Sequence, residues 1–185
     1  MLSLVSAPGG EPFSVDEVKL HLRVDLELED QKVREWIAAA REYAENHTRR
    51  KLIRQVWDLK LCAFPCGPIE LPFAPALSVD SVTYIDTAGA STTWSSALYE
   101  TDIPAGPYAM PARLQPVYGG SYPVTRDVFN AVVVRFTCGY GSKGSDIPML
   151  LRAAMLQLIG ALYEGRTPQP NEVTTANAWL WGFRI

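Results

Sequence analysis

The first helical signal lies near the start of the chain. Ser14 and Glu17 have the spacing of a capping box, in which each side chain bonds the backbone N–H of the other residue. Phe13 and Val18 have the spacing of a hydrophobic staple across the same helix start. Together these pairs predict a short helix from about Ser14 to Leu22.

Two longer helices are predicted from apolar residues that recur every three or four positions. The first follows an acidic connector, carries charged residues on its outer side and ends near Thr48. The second has Asp146 as its expected N-cap and ends at Gly165; it is apolar nearly all round, which is typical of a central helix. The two apolar stripes are Val33, Ile37, Ala40 and Ala44, and Leu151, Met155, Leu158 and Leu162.

Between these helices the pattern changes to the alternation that is typical of β-strands. The turn Asp86-Thr87-Ala88-Gly89 is predicted to join two of the strands into a hairpin. Prolines and glycines between residues 99 and 126 leave room only for short strands. The predicted strands are 55–62, 81–85, 92–94 and 131–137, with short ones near Tyr99 and Arg113–Leu114.

This order of elements predicts an α+β fold, in which the N-terminal and C-terminal helices pack as a small bundle and a β-rich segment is inserted between them. We expect one compact domain overall. Its parts are an N-terminal helical part at 1–51, a β-rich insert at 52–145, a central helix at 146–165 that packs on the N-terminal helices, and a C-terminal tail at 166–185.

Composition and charge narrow the class of function. Of the 185 residues, 48% are hydrophobic and 20% are charged, which is typical of a soluble globular protein, and the formal net charge is −3. The basic residues are scattered apart from Arg49, Arg50 and Lys51, which argues against a protein that reads duplex DNA through a basic face. A mildly acidic surface would still let DNA slide past without gripping it.

The cysteines and the longest apolar stretch indicate where the protein folds. An odd number of cysteines and no signal-peptide pattern predict folding in a reducing cytoplasm. The stretch Ile147–Tyr163 is too short for a comfortable membrane span and contains Arg152 and Gln157. We therefore predict a buried helix there and no membrane partner.

The motif Gly139-x-Gly141-x-x-Gly144 has the spacing of a dinucleotide-binding fingerprint, and it follows a predicted strand and precedes a helix. A Rossmann unit also needs a second parallel strand after that helix, with an acidic residue at its end. Glu164 falls at the end of the helix itself, and no strand pattern follows it. We interpret the motif as a turn and predict no cofactor.

The sequence gives little support for a metal site or a catalytic site. No second cluster completes a set of four zinc ligands, and no G-x-S-x-G elbow is present for nucleophilic catalysis. Acidic residues at a helix start are typically solvated and favoured by the helix dipole. We predict neither a metal site nor an active site. The residues considered were Cys62, Cys66, Cys138, His21 and His47 for zinc, and Glu27, Glu29 and Asp30 for another cation.

The aromatic end of the chain must be buried somewhere, because large aromatic rings are costly to leave in water. One reading is docking on the chain's own domain, and the other is insertion into a partner, where Trp and Arg dominate interface energetics. The residues concerned are Trp179, Trp181, Phe183, Arg184 and Ile185.

Several stretches resemble, in the same order, the pattern of head-tail connector proteins of tailed bacteriophages, also called portal adaptors or head completion proteins. The resemblance covers most of the chain, although the aromatic ending is stronger than the family pattern requires. The stretches are 15–25, 29–30, 37–45 with Arg49, 81–86, 136–141, 147–154 and 162–164.

The resemblance implies a structural, non-enzymatic subunit of the virion neck that is made in the host cytoplasm. It implies a ring of about twelve copies, closed by heterologous contacts, that sits under the portal protein and extends the DNA channel. The helical part and the C-terminal tail would engage the portal and adjacent subunits, and our hypothesis is that Trp179, Trp181 and Phe183 anchor in the portal. The hairpin at Asp86, Thr87, Ala88 and Gly89 would face a stopper or tail-terminator protein, or a neighbouring copy.

Two alternatives remain at this point. The chain could be another virion completion protein, such as a stopper or tail-completion protein, although these usually lean toward β-barrels. It could also be a nucleotide-binding enzyme that uses the loop from Gly139 to Gly144, a hypothesis that a dinucleotide titration with a thermal-shift readout would test.

Overall fold

The computed structural model describes residues 1–24, 30–165 and 170–185, and the side chains of residues 165 and 170–174 are not described. The chain divides into two compact units. The β unit comprises Met1–Ala7 and Arg54–Gly139, and the helical unit comprises Pro8–Ile53 and Tyr140–Ile185. The predicted α+β class is confirmed, since the chain contains both helices and sheets.

The elements are named in chain order. The strands are β1 (Leu2–Ser6), β2 (Gln55–Leu61), β3 (Ile69–Glu70), β4 (Ala76–Ile85), β5 (Ser91–Thr93), β6 (Tyr99–Asp102), β7 (Arg113–Pro116) and β8 (Val132–Cys138). The helices are α1 (Val15–Leu22), α2 (Asp30–Thr48), α3 (Met149–Gly165) and α4 (Pro170–Trp181).

The larger sheet of the β unit is built around β8. Its five strands have the order β1-β2-β8-β4-β5, and β8 pairs antiparallel with both β2 and β4. Val132, Val134 and Phe136 alternate along β8 and are fully buried, so the predicted strand over 131–137 is confirmed. β1 was not predicted, because its residues are mostly exposed and give no alternating pattern.

A smaller sheet with the order β3-β7-β6 completes the β unit. It consists of the short strands predicted near Tyr99 and Arg113, together with β3. An aromatic cluster lies close to it, with Phe64 stacked on Tyr122 at 4.9 Å between ring centroids and Trp94 at 5.5 Å from Tyr122. These rings give the proline-rich middle of the chain an apolar core that its irregular sequence does not reveal.

The helical unit is organised around α3, whose Leu151, Met155 and Ile159 are fully buried. α3 packs against both α2 and α4. The predicted start of α1 is confirmed, because the Ser14 side chain accepts a hydrogen bond from the Glu17 backbone N–H at 3.1 Å. The Glu17 carboxylate does not complete the box; it pairs with Arg152 of α3.

Two details of the helical unit differ from the sequence prediction. Asp146 does not cap α3, because its carboxylate accepts a hydrogen bond from the Lys143 backbone N–H at 3.0 Å and closes a short 3₁₀ turn before the helix. The C-terminal tail contains α4, which its mixed sequence of small and polar residues did not predict. α4 is held by burial of Ala176 and Leu180.

Candidate partner-binding surfaces

The predicted hairpin between β4 and β5 is present, and its tip is solvent-exposed. The Asp86 backbone N–H donates to the Ala90 carbonyl oxygen at 2.9 Å, and the Gly89 N–H donates to the Asp86 carbonyl oxygen at 2.9 Å. The Asp86 carboxylate also accepts a hydrogen bond from the Ala90 N–H at 2.9 Å. Gly89 has φ +93°, a conformation that favours glycine. Thr87 and Ala88 are therefore presented on a well-ordered turn.

A second loop, residues 124–130, is fastened to the same hairpin. The Arg126 backbone N–H donates to the Ile85 carbonyl oxygen at 3.0 Å, and the Val128 N–H donates to the Arg126 carbonyl oxygen at 3.0 Å. Phe129 at its tip is 88% exposed. Sequence reasoning did not single out Phe129, because one aromatic residue in an irregular segment gives no periodic signal.

The aromatic C-terminal residues divide into two groups. Leu180 and Phe183 are buried in the core of the helical unit. For Phe183 this is the arrangement expected if the segment docks on its own domain. Trp181 is 67% exposed and Trp179 is 38% exposed. The Arg184 guanidinium lies 5.7 Å from the centroid of the Trp181 ring. The exposed tryptophans form the candidate surface of this unit.

Polar contacts hold the C-terminal segment against the end of α2. The Ile185 backbone N–H donates to the Thr48 carbonyl oxygen at 3.2 Å, and the Arg50 side chain donates to the Phe183 carbonyl oxygen. Tyr43 donates through its hydroxyl to the Asn177 side-chain oxygen at 2.9 Å. The two tryptophans are thus exposed on a segment that is itself held against α2.

The basic run noted in the sequence is largely internal. Arg50 is 2% exposed, and Lys51 lies 3.0 Å from the buried Glu45 carboxylate. Glu45 also accepts a hydrogen bond from the Leu52 backbone N–H at 3.0 Å and lies 3.7 Å from Arg41. Burial lowers the pKa of Arg41, but its hydrogen bond to Glu11 and the neighbouring carboxylates outweigh this and raise the pKa above the usual value. Arg50 and Lys51 therefore stabilise the fold of the helical unit.

The glycine-rich loop is a packing feature. β8, which precedes it, is antiparallel to both of its neighbours, so the parallel crossover of a dinucleotide fold does not form on this strand. A Cβ on Gly144 would overlap the Pro12 carbonyl group, and one on Gly141 would overlap the Asp146 carboxylate. Both glycines are required because other parts of the helical unit approach them closely.

The candidate metal ligands do not form a site among the residues that the structure describes. Cys62 and Cys66 are exposed and Cys138 is buried, all as free thiols. Across residues 1–24, 30–165 and 170–185 no group of three or more His, Cys, Asp or Glu side chains could hold a metal ion. Asp30 pairs with Lys19, while Glu27 and Glu29 lie outside the described residues. Within the same ranges no helix has the length and apolarity that crossing a membrane requires.

Comparison with known proteins gives one family and a set of similar structures. Residues 13–103 match the model of the phage gp6-like head-tail connector protein family. A search of curated proteins gives no match.

The similar structures come from gene transfer agent (GTA) particles. A chain in the neck of an empty GTA particle, computed with C6 symmetry, has a TM-score of 0.82 and 26% identity. A chain in the virion of a native GTA particle has a TM-score of 0.80 and 26% identity, and one in a native GTA neck computed with C12 symmetry has 0.76 and 25%. Each likeness covers 100% of this chain and 95% of the other.

The family match begins at Phe13, at the start of α1, and ends in the β unit just after β6. The structural likeness continues through the remaining strands, the glycine loop and α3 to α4. Both comparisons lead to structural proteins of the head-tail junction and not to enzymes. Over residues 13–103 the chain matches the phage gp6-like head-tail connector family, and its role is that of a structural connector at the head-tail interface.

Proposed function

We propose that the chain assembles into a closed ring of about twelve copies that sits under the portal protein of a phage or phage-like particle. The ring extends the DNA channel and provides the attachment site for a stopper or tail-terminator protein. The observation that carries this proposal is the full-length likeness to chains in GTA necks computed with C6 and C12 symmetry. A cyclic arrangement requires each copy to offer two different surfaces to its neighbours.

The helical unit is the proposed portal side. We assign docking to the exposed rings of Trp179 and Trp181, with Arg184 and Ile185 beside them, because buried Trp and Arg side chains dominate interface energetics. Phe183 supports this surface from within, since it is buried in the core of its own unit. The small bundle formed by the N-terminal and C-terminal helices would thus present a preformed aromatic patch.

The β unit is the proposed side for the tail or for neighbouring copies. Its hairpin tip at Asp86, Thr87, Ala88 and Gly89 is half-buried at Asp86 and exposed at the other three positions. The turn hydrogen bonds order it, as a contact surface requires. DNA would pass without sequence-specific binding. The formal charge of −3 and the burial of Arg50 and Lys51 support this, because a protein that grips DNA needs accessible cations to displace counterions.

Mixing the purified chain with the portal protein and imaging by negative stain tests the ring. Rings under the portal are expected, and portal particles without added density at saturating protein would contradict the proposal. The double variant Trp179→Ala/Trp181→Ala should bind portal at least about tenfold more weakly, while Met149→Ala, also highly exposed in the helical unit, should bind normally. Equal binding by all three proteins would exclude the aromatic patch as the portal site.

A further inference from the structure

We infer that neighbouring copies in the ring meet through Phe129 of one copy and a neutral cleft of the next. The cleft, called here the proline-tyrosine cleft, lies between residues 65–68 and 115–122 of the β unit. This inference rests on the ring assembly proposed above, and it identifies the surfaces that close the ring.

Phe129 has the properties of an interface anchor. Phe129 is 88% exposed, and burying a large apolar side chain of this kind strengthens a contact. The loop that carries it is already ordered by the Arg126 and Val128 backbone hydrogen bonds. Asn130 ends the loop with φ +58°, which asparagine tolerates better than most residues. Because the loop backbone is ordered and the Phe129 side chain has only two χ angles, Phe129 loses little conformational entropy on binding.

The proline-tyrosine cleft is suited to an aromatic ring. It has a volume of about 490 Å³ and none of its lining residues is charged. Its walls are ordered: the Gly120 N–H donates to the Val117 carbonyl oxygen at 2.8 Å, and the Tyr122 hydroxyl donates to the Gly67 carbonyl oxygen at 2.9 Å. Tyr118 stands fully exposed at one edge. A ring inserted there would meet proline and tyrosine side chains without desolvating an ion.

Two other clefts fit an apolar ring less well. One, in the β unit, is lined by Glu100, Asp102 and Arg113. Another, in the helical unit, is lined by Glu11, Glu17 and Arg152. Burying charged groups under an aromatic ring is costly unless every charge stays paired. The neutral cleft is therefore the favoured receptor for Phe129.

The occupant is a second copy because of the symmetry of the assembly. Phe129 remains exposed within its own chain, so it does not fill the cleft of that chain. Phe129 and the cleft share no residues and belong to the same compact unit. Two different, complementary patches on one subunit are what a closed heterologous ring requires, and the similar GTA necks have cyclic symmetry.

A disulfide assay uses a thiol that the cleft already contains. Cys66 lines the cleft and is exposed. We would introduce Val128→Cys, which keeps the Phe129 ring and is 37% exposed beside it, together with Cys62→Ser, assemble the protein on portal, and oxidise it with copper-phenanthroline. Non-reducing electrophoresis should show a ladder of linked multimers, and adding Cys66→Ser should abolish it. Leu20→Cys in the same background is the matched control, since Leu20 is 82% exposed in the helical unit, and it should give no ladder.

The outcomes separate this inference from the proposed function. Four outcomes would each overturn the inference and leave the ring intact. They are rings on the portal without a ladder, a ladder that survives Cys66→Ser, an equal ladder from Leu20→Cys, and cross-linking of Val128→Cys to the portal itself. Failure of every protein to form rings would overturn both the inference and the proposed function.

A second measurement uses the variant Phe129→Glu. It should weaken ring assembly by about tenfold or more while circular dichroism stays unchanged. Unaltered assembly would also overturn the inference.

Discussion

The two units of the chain are stabilised in different ways. The β unit buries mainly apolar side chains, as at Val134 and Phe136. Its Asp102–Arg113 ion pair is solvent-exposed, and its buried Asp58 pairs with Arg135, whose side chain is 45% exposed. The helical unit also has an apolar core, but it places Glu45 and Lys51 inside, near the end of α2. A sheet core tolerates changes to surface charge, whereas buried ions depend on every partner. The helical unit should therefore be the more sensitive to single polar substitutions.

The buried charges explain how the C-terminal segment is held. The Glu45 carboxylate accepts hydrogen bonds from the Lys51 side chain and from the Leu52 backbone N–H. These bonds fix the chain where it leaves α2. The adjacent Arg50 then donates to the Phe183 carbonyl oxygen. Arg50 and Phe183 thus connect the segment that carries the exposed tryptophans to the end of α2.

Removing the Glu45 carboxylate should give the largest effect. Glu45→Ala removes the buried carboxylate that pairs with Lys51 and Arg41 and accepts from the Leu52 N–H, and truncating one partner of a buried ion pair typically costs about 3–5 kcal/mol. We expect a loss of that size in the free energy of unfolding, measured by urea denaturation. Glu42→Ala is the matched control on the same helix, because the Glu42 side chain is 67% exposed, and it should change stability by less than about 0.5 kcal/mol. Similar losses in both variants would contradict the proposed difference between buried and exposed carboxylates.

The glycine loop should give the next largest effect. Gly144→Ala forces a methyl group against the Pro12 carbonyl, and overpacking of this kind typically costs about 1–3 kcal/mol. Gly67 in the β unit has open space around its Cβ position, so Gly67→Ala should be neutral to within about 1 kcal/mol. Thermal unfolding of the two variants compares them directly. A neutral Gly144→Ala would show that the close contact with Pro12 can relax.

The sequence predicted the elements whose periodicity is strong. α2 and β8 appear where the apolar spacing placed them, because a buried face repeats every 3.6 residues in a helix and every two in a strand. α1 appears where its capping residues placed it. The hairpin at Asp86–Gly89 was also predictable, since its turn chemistry is local.

What the sequence did not predict depends on contacts between distant residues. β1 becomes a strand by pairing with β2, more than fifty positions along the chain, and α4 is held by burial of Leu180. The same limit applies to the surfaces. Phe183 and Trp181 are both aromatic and two positions apart, yet one is buried and the other exposed, and only the packing of the segment decides which.

Protonation of His47 should give the smallest effect, and it also separates the two units. His47 lies in the helical unit, so its titration should affect the stability of this unit. Burial, and then the positive charge of Arg184, lower the pKa of His47 below its usual value.

The sign follows from proton binding. Below about pH 6.5 the unfolded chain takes up a proton at His47 more readily than the folded chain does. The free energy of unfolding therefore falls as the pH drops through that value. The free energy stops falling once the pH is below the lowered pKa of the folded state. Because the ring is partly exposed, the loss should stay below about 1 kcal/mol. Urea unfolding between about pH 7.5 and 5.5 should therefore show a shallower pH slope for His47→Gln than for the parent protein. An equal pH slope in His47→Gln and the parent protein would contradict this prediction.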